Sequence, residues 1–181
     1  KGGLFLAAGM KIAPYPLPSY PKSDKPKADG SDGVRYPFAD EGITTSIRDA
    51  TLTGKPYPIK GWFVYSSNIT YALPNASETL KAIDNLDLLV VVDTIGSKIA
   101  GYADVVLPES TFLERHDERL VGFGRTGWTS LRQPVVAAPH EQKPGWWIAK
   151  ELAKKLGVGA CMPFKDLEEY LAFRIEKSGY R

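Results

Sequence analysis

The sequence predicts an α/β fold: a doubly wound, mainly parallel sheet with helices on both faces, preceded by a long Pro-rich N-terminal arm. Three observations predict it. Leu88-Leu89-Val90-Val91-Val92-Asp93 is an unbroken apolar run closed by a carboxylate, the pattern of a strand covered on both faces, which parallel sheets with crossover helices provide. Gly61-Trp62-Phe63-Val64-Tyr65 lies one helical segment upstream and Ala103-Asp104-Val105-Val106-Leu107 one short connection downstream, both rich in aromatic or β-branched side chains. Eight of the 14 prolines fall before residue 60, and the tract from Pro14 to Pro37 shows little helical or strand periodicity.

In chain order, residues 1–40 read as a Pro/Gly-rich arm or linker and 41–181 as the α/β domain. A short amphipathic helix is expected from Ile43 to Leu52, ended by Thr53-Gly54 and the Pro56/Pro58 pair, which cannot continue it. After the strand Gly61–Tyr65 comes the polar exit Ser66-Ser67-Asn68. Asn75 stands three residues before Glu78, the spacing of a capping box, and a helix is expected over about 76 to 86. The strand to Asp93 follows, then one or two helical turns over Ser97 to Gly101, then a strand stopped by Pro108. From Glu109 to Arg132 the pattern loosens into what reads as a long functional loop. Two helices close the chain. One starts at Pro144, sets Trp146, Ala149, Ala153 and Leu156 on a common face and ends at Gly157; the other starts at Asp166, with Glu169 three residues on, and turns Leu167, Tyr170, Leu171 and Ile175 inward.

With 181 residues, 43% of them apolar and 24% charged, the chain is long enough to bury one good core. Its 23 basic and 21 acidic residues leave a formal charge of +2, too little for the electrostatic footprint of a duplex nucleic-acid binder. No apolar run approaches the roughly 20 residues a membrane span needs. The single Cys161 excludes an intrachain disulfide and any multi-cysteine metal or cluster site within this stretch. The chain opens on Lys1-Gly2-Gly3 without an initiator Met or a secretory apolar segment, and is expected to be an excised piece of a longer protein.

Ligands of open parallel sheets sit outside the carboxyl ends of the strands, where loop amides converge. Two exits qualify. Ser66-Ser67-Asn68 either lets a ligand approach the backbone or forms a turn bonded to itself. Asp93 either accepts hydrogen bonds from ribose hydroxyls or a guanine edge, or caps the turn that follows it. Neither strand is followed by G-x-G-x-x-G or a Walker A sequence, which sets ordinary NAD or ATP use aside. His116 and His140 stand 24 residues apart with no metal-ligand spacing around them, so no metal is assigned. Glu114-Arg115-His116-Asp117 either carries acid–base work or is a solvated charged loop. Cys161 reads as a packed thiol. The Trp146-Trp147 pair reads as core packing plus an interface contact. No catalytic residue is assigned.

From Pro58 to Gly157 the chain resembles the second α/β cofactor-binding domain of the molybdopterin oxidoreductases of the dimethyl sulfoxide reductase family. The residues that carry the likeness are Val91-Val92-Asp93, Ser97 four residues on, Ala103-Asp104-Val105-Val106-Leu107-Pro108, Glu114, Lys143-Pro144-Gly145-Trp146-Trp147-Ile148 and Glu151-Leu152-Ala153. The wording of Gly54 to Phe63, of Leu113-Glu114-Arg115 and of Leu131-Arg132-Gln133-Pro134 is most similar to the catalytic subunits of polysulfide and thiosulfate reductases.

The resemblance implies a bis(molybdopterin guanine dinucleotide) molybdenum cofactor, with this domain gripping the guanosine and pyrophosphate end of one pterin. Asp93 falls where the family places a carboxylate near the guanine nucleotide, and Ser97 where it usually has a Thr. Ser66, Ser67 and Asn68 match the family's Gly-x-Asn/Asp-Pro turn only loosely, since both the Gly and the Pro are missing. Arg115, His116 and Arg125 would approach the substrate funnel. The resemblance further implies a 4Fe-4S cluster and a molybdenum ligand elsewhere in the parent, so this piece alone is expected to hold no cofactor and to be inert. It implies contact with the remaining domains of the same subunit, an iron-sulfur electron-transfer subunit and a membrane anchor, a small sulfur anion as substrate, no nucleic acid, and a place in the periplasm or on the outer face of the cytoplasmic membrane. Two other readings stay open: a cofactor-free scaffold of a respiratory complex, and a flavodoxin-like binding module.

Overall fold

The computed structural model describes residues 24–31, 35–39, 41–118, 120–122 and 128–177, the side chain of Val121 aside. Most of the arm expected over 1–40 lies outside the described residues. The chain forms two compact units, one within Lys22–Glu109 and one within Ser110–Arg181.

The first unit holds the sheet. Helix α1 (Thr44–Thr53) stops at Gly54, whose φ of 69° is a left-handed conformation that glycine takes without a steric cost. Strand β1 (Gly61–Tyr65), the short helix α2 (Ile69–Ala72), α3 (Ala76–Asp84), β2 (Leu88–Asp93), a 3₁₀ turn (Lys98–Tyr102) and β3 (Val105–Pro108) follow. The three strands run parallel in the order β1-β2-β3, with Val64 opposite Val91 and Val91 opposite Val106. An α/β fold on a parallel sheet is therefore what the chain adopts. The central strand is the apolar run, and its Val91 and Val92, on opposite faces, are 1% and 0% exposed. Val64, Ile69, Ile83, Leu89, Val91 and Ile99 form the core, with Trp62, Leu80 and Leu86 packed against it.

Two polar stitches fix the frame. Trp62 Nε1 donates to Thr51 Oγ1 at 3.1 Å, joining β1 to α1. Asp104 Oδ2 accepts from the Leu89 N–H at 2.7 Å, while the Asp104 N–H donates to the Leu89 carbonyl at 2.9 Å. The β2-to-β3 crossover is close to the shortest a parallel pair permits, and this reciprocal pair pins its register before the ladder begins.

The second unit differs more from expectation. Within the stretch read as a loop, β4 (Leu120–Gly122) pairs antiparallel with β5 (Trp128–Ser130); strands of three residues are too short to display an alternation. Helix α4 (Gly145–Lys155) buries Ile148 and Ala153, whereas Leu156, set by the sequence on a common face with Ala153, is 74% exposed. A 3₁₀ turn (Gly159–Cys161) leads to α5 (Leu167–Lys177), which buries Tyr170 and Leu171. Ile175 lies at its exposed margin. Among the described residues no helix is long and apolar enough to cross a membrane.

Candidate functional site

Parallel strands end together, so the exits of β1, β2 and β3 share one edge of the sheet. That edge brings together Ser66, Ser67 and Asn68 after β1, Asp93 and Ser97 around the β2 exit, and Glu109 directly after β3.

Asp93 organises its own loop. Its Oδ1 accepts from the N–H of Thr94 at 2.8 Å and of Ile95 at 3.4 Å, and its Oδ2 accepts from Ser97 Oγ at 2.7 Å. The capping alternative therefore describes Asp93 in this state, and the spacing of four residues to Ser97 is explained by that bond. An ionised carboxylate has about four acceptor sites. Oδ2, with one donor, still has room for another.

The β1 exit is set by backbone strain and a buried acid. Ser66 has φ 49°, in the left-handed region, which costs a residue with a Cβ about 1 kcal/mol or more. Its N–H donates to the Val92 carbonyl at 2.9 Å, and its Oγ donates to Glu109 Oε2 at 3.0 Å. The Tyr65 hydroxyl donates to the other oxygen, Glu109 Oε1. Asn68 Oδ1 accepts from the buried Thr70 hydroxyl at 2.7 Å. Among the described residues Asn68 Nδ2 and the Ser67 hydroxyl meet no hydrogen-bond partner. Ser67 borders an open groove of about 800 Å³ that runs along β1 past Tyr65, Phe63 and Tyr57.

A family model described as molybdopterin oxidoreductase matches residues 17–155. The chain belongs to the molybdopterin oxidoreductase family. It is 39% identical over 166 residues to the thiosulfate reductase molybdopterin-containing subunit PhsA of Salmonella typhimurium, covering 89% of this chain and 22% of that protein. It is 34% identical over 155 residues to acetylene hydratase of Syntrophotalea acetylenica, covering 81% and 20%. Among solved structures, acetylene hydratase from Pelobacter acetylenicus superposes with a TM-score of 0.65 at 33% identity, over 76% of this chain and 19% of that one. The chain thus spans about a fifth of the length of the relatives it matches.

Membership of the molybdopterin oxidoreductases implies a molybdopterin-type cofactor, and the strand-tip residues fit the polar end of such a group. Small side chains let a ligand reach the backbone, while the free Ser67 hydroxyl and Asn68 amide supply donors and Asp93 Oδ2 an acceptor. Among the described residues no three His, Cys, Asp or Glu side chains cluster as they would around a metal ion.

The residues expected at the substrate funnel belong to the second unit. Arg115 Nε donates to Asp117 Oδ1 at 2.9 Å and its Nη1 to the Ser110 carbonyl at 2.6 Å. Arg132 binds the other oxygen of Asp117 at 2.6 Å, which makes a chain of two guanidiniums about one carboxylate. His116 Nδ1 stands 3.0 Å from Glu168 Oε1. Arg125 lies outside the described residues. Glu114 closes a local turn: the Thr111 N–H reaches its Oε2 at 2.8 Å, and this bond, ahead of smaller effects of Gln142 and His140, holds its carboxyl below the ordinary range. Tyr170 donates to Glu118, and burial first, then that neighbour, pushes its phenol up to about 12.

Glu109 is the functional candidate that sequence reasoning passed over, as the first residue of a loosened stretch. The available signal was positional: it follows the end of β3 as Ser66 follows the end of β1.

Proposed function

We propose that this chain is the cofactor-gripping domain of a molybdenum oxidoreductase that reduces sulfur–sulfur bonds, in thiosulfate or polysulfide, with electrons from a quinol delivered through iron-sulfur clusters. The observation that carries the reading is the shared strand edge, where Ser67, Asn68 and Asp93 present two unused donors and an unused acceptor position. The 39% identity to a thiosulfate reductase subunit supports the substrate class.

In this reading the ligand is the guanosine and pyrophosphate end of a molybdopterin guanine dinucleotide. Asp93 would take a donor of the guanosine, Ser67 and Asn68 would donate to the nucleotide end, Ser66 would supply backbone, and Ser97 would hold the Asp93 carboxylate in place. When bound, the molybdenum and its dithiolenes supply the redox chemistry, and the protein supplies position and electrostatics. Arg115, His116 and Arg125 would favour the approach of a sulfur anion. The remaining domains of the subunit would complete the cofactor's walls and bear a 4Fe-4S cluster. An iron-sulfur subunit and a membrane anchor would relay electrons, with the assembly in the periplasm or on the outer face of the cytoplasmic membrane.

The test is chemical analysis of the purified full-length protein and its Asp93→Ala variant. Molybdenum, iron and acid-released guanine nucleotide are expected in fixed ratio in the parent protein, with thiosulfate or polysulfide consumed when a reduced dye supplies electrons. The variant is expected to lose molybdenum and guanine together. A full-length protein free of both would end this reading in favour of a scaffold.

A further inference from the structure

We propose that Glu109 is a positioning residue for the cofactor loop: from the end of β3 its buried carboxylate grips the exit of β1 and holds Ser66 in the left-handed turn that presents Ser67 and Asn68. The inference rests on the reading of that loop as the grip on the nucleotide end.

Three features support it. Glu109 is 3% exposed, and an ionisable side chain is rarely that buried unless its hydrogen bonds repay the lost water. Its two oxygens accept from consecutive residues of the β1 exit, Tyr65 and Ser66, while its backbone N–H donates to the Asp93 carbonyl at 3.0 Å. One residue thus joins β1, β2 and β3 where they end. The residue it grips is the strained one, Ser66 at φ 49°; a conformation of that cost persists only where its surroundings over-determine it.

A buried carboxylate near an anionic pyrophosphate is electrostatically adverse as a ligand. That makes the role distinguishable: removing a like charge does not by itself weaken an anionic cofactor, so faster release points to loop geometry or to general stability, which the Ser66→Gly combination separates.

The experiment follows release of molybdenum and guanine nucleotide from the purified full-length protein after dilution, and compares Asn68→Ala, Glu109→Gln, Glu109→Leu, and Glu109→Leu combined with Ser66→Gly. Hydrogen bonds to a charged group are worth enough that their loss gives about a tenfold effect or more, so Glu109→Leu is expected to release cofactor about tenfold faster and Glu109→Gln less so. Because glycine takes the left-handed turn without a holder, adding Ser66→Gly is expected to recover most of the retention. Normal or slower release from Glu109→Leu, with fast release from Asn68→Ala, overturns the positioning role and leaves the loop's role standing. Fast release that Ser66→Gly does not correct reduces Glu109 to general stability and also overturns it. Unchanged release from every variant removes both the inference and the reading beneath it.

Discussion

Asp104 does at the head of β3 what Asp93 does at the tip of β2: each turns a carboxylate onto backbone N–H groups that the sheet leaves over. The difference lies in what is left behind if the side chain goes. Around Asp93 the donors Thr94 and Ile95 are exposed, and water replaces the lost acceptor. Leu89, whose N–H Asp104 takes, is 1% exposed. An N–H stranded in such a place costs about 1–3 kcal/mol. Asp104→Ala is therefore expected to lower the unfolding free energy of this chain by about that amount, with Asp104→Asn losing less because its amide oxygen still accepts. Urea titration followed by circular dichroism checks this; equal midpoints for Asp104→Ala and the parent would mean that the N–H finds another acceptor.

The two helices with capping-box spacing show at the level of elements what sequence can and cannot tell. At α5 the N-cap half of the pattern is realised: Asp166 Oδ1 accepts from the Glu169 N–H at 2.9 Å, while Glu169 Oε2 reaches one residue beyond the N-cap, to the Lys165 N–H at 2.6 Å. At α3 the same spacing fails. Asn75 is in the left-handed region at φ 59°, where an extended N-cap is needed, so its Oδ1 takes the Ser77 hydroxyl and Glu78 pairs with Lys81. Asp166→Ala is thus expected to cost about 1 kcal/mol, and Asn75→Gly to be neutral or slightly stabilising, since glycine carries no penalty there; the measurement is the thermal midpoint of each variant. The strands were legible for a related reason. β1 and β2 have the bounds their composition indicates, because a run of apolar β-formers between polar exits has few other solutions. The helix α2 and the β4–β5 pair were not, being too short for any period to register. In the site, the places of Asp93 and Ser66–Asn68 at strand ends were legible in the sequence; the bond from Ser97 to Asp93 was not, since only the family resemblance singled Ser97 out. The Glu109 clamp was not, because it joins residues 43 and 44 positions apart and only the folded sheet brings them together.

For the protein as a whole, what matters is that a segment about a fifth of the length of its relatives recurs in proteins named for unlike small molecules, a thiosulfate reductase subunit and an acetylene hydratase. A shared segment does the shared task, and under the function proposed above that task is holding the cofactor. It follows that damage to the strand-tip site should remove working enzyme molecules without altering those that remain. In the full-length protein, Ser67→Ala, Asn68→Ala and Asp93→Ala are expected to lower kcat in proportion to molybdenum content, leaving turnover per molybdenum and the KM for the sulfur substrate within about twofold of the parent. His116→Ala, in the proposed funnel, is expected to show the converse: full molybdenum content with a raised KM. Steady-state kinetics normalised to metal analysis separates the two patterns. A strand-tip variant that keeps its molybdenum and shifts KM severalfold would place the substrate, and not the nucleotide end of the cofactor, at the edge where Ser67, Asn68 and Asp93 meet.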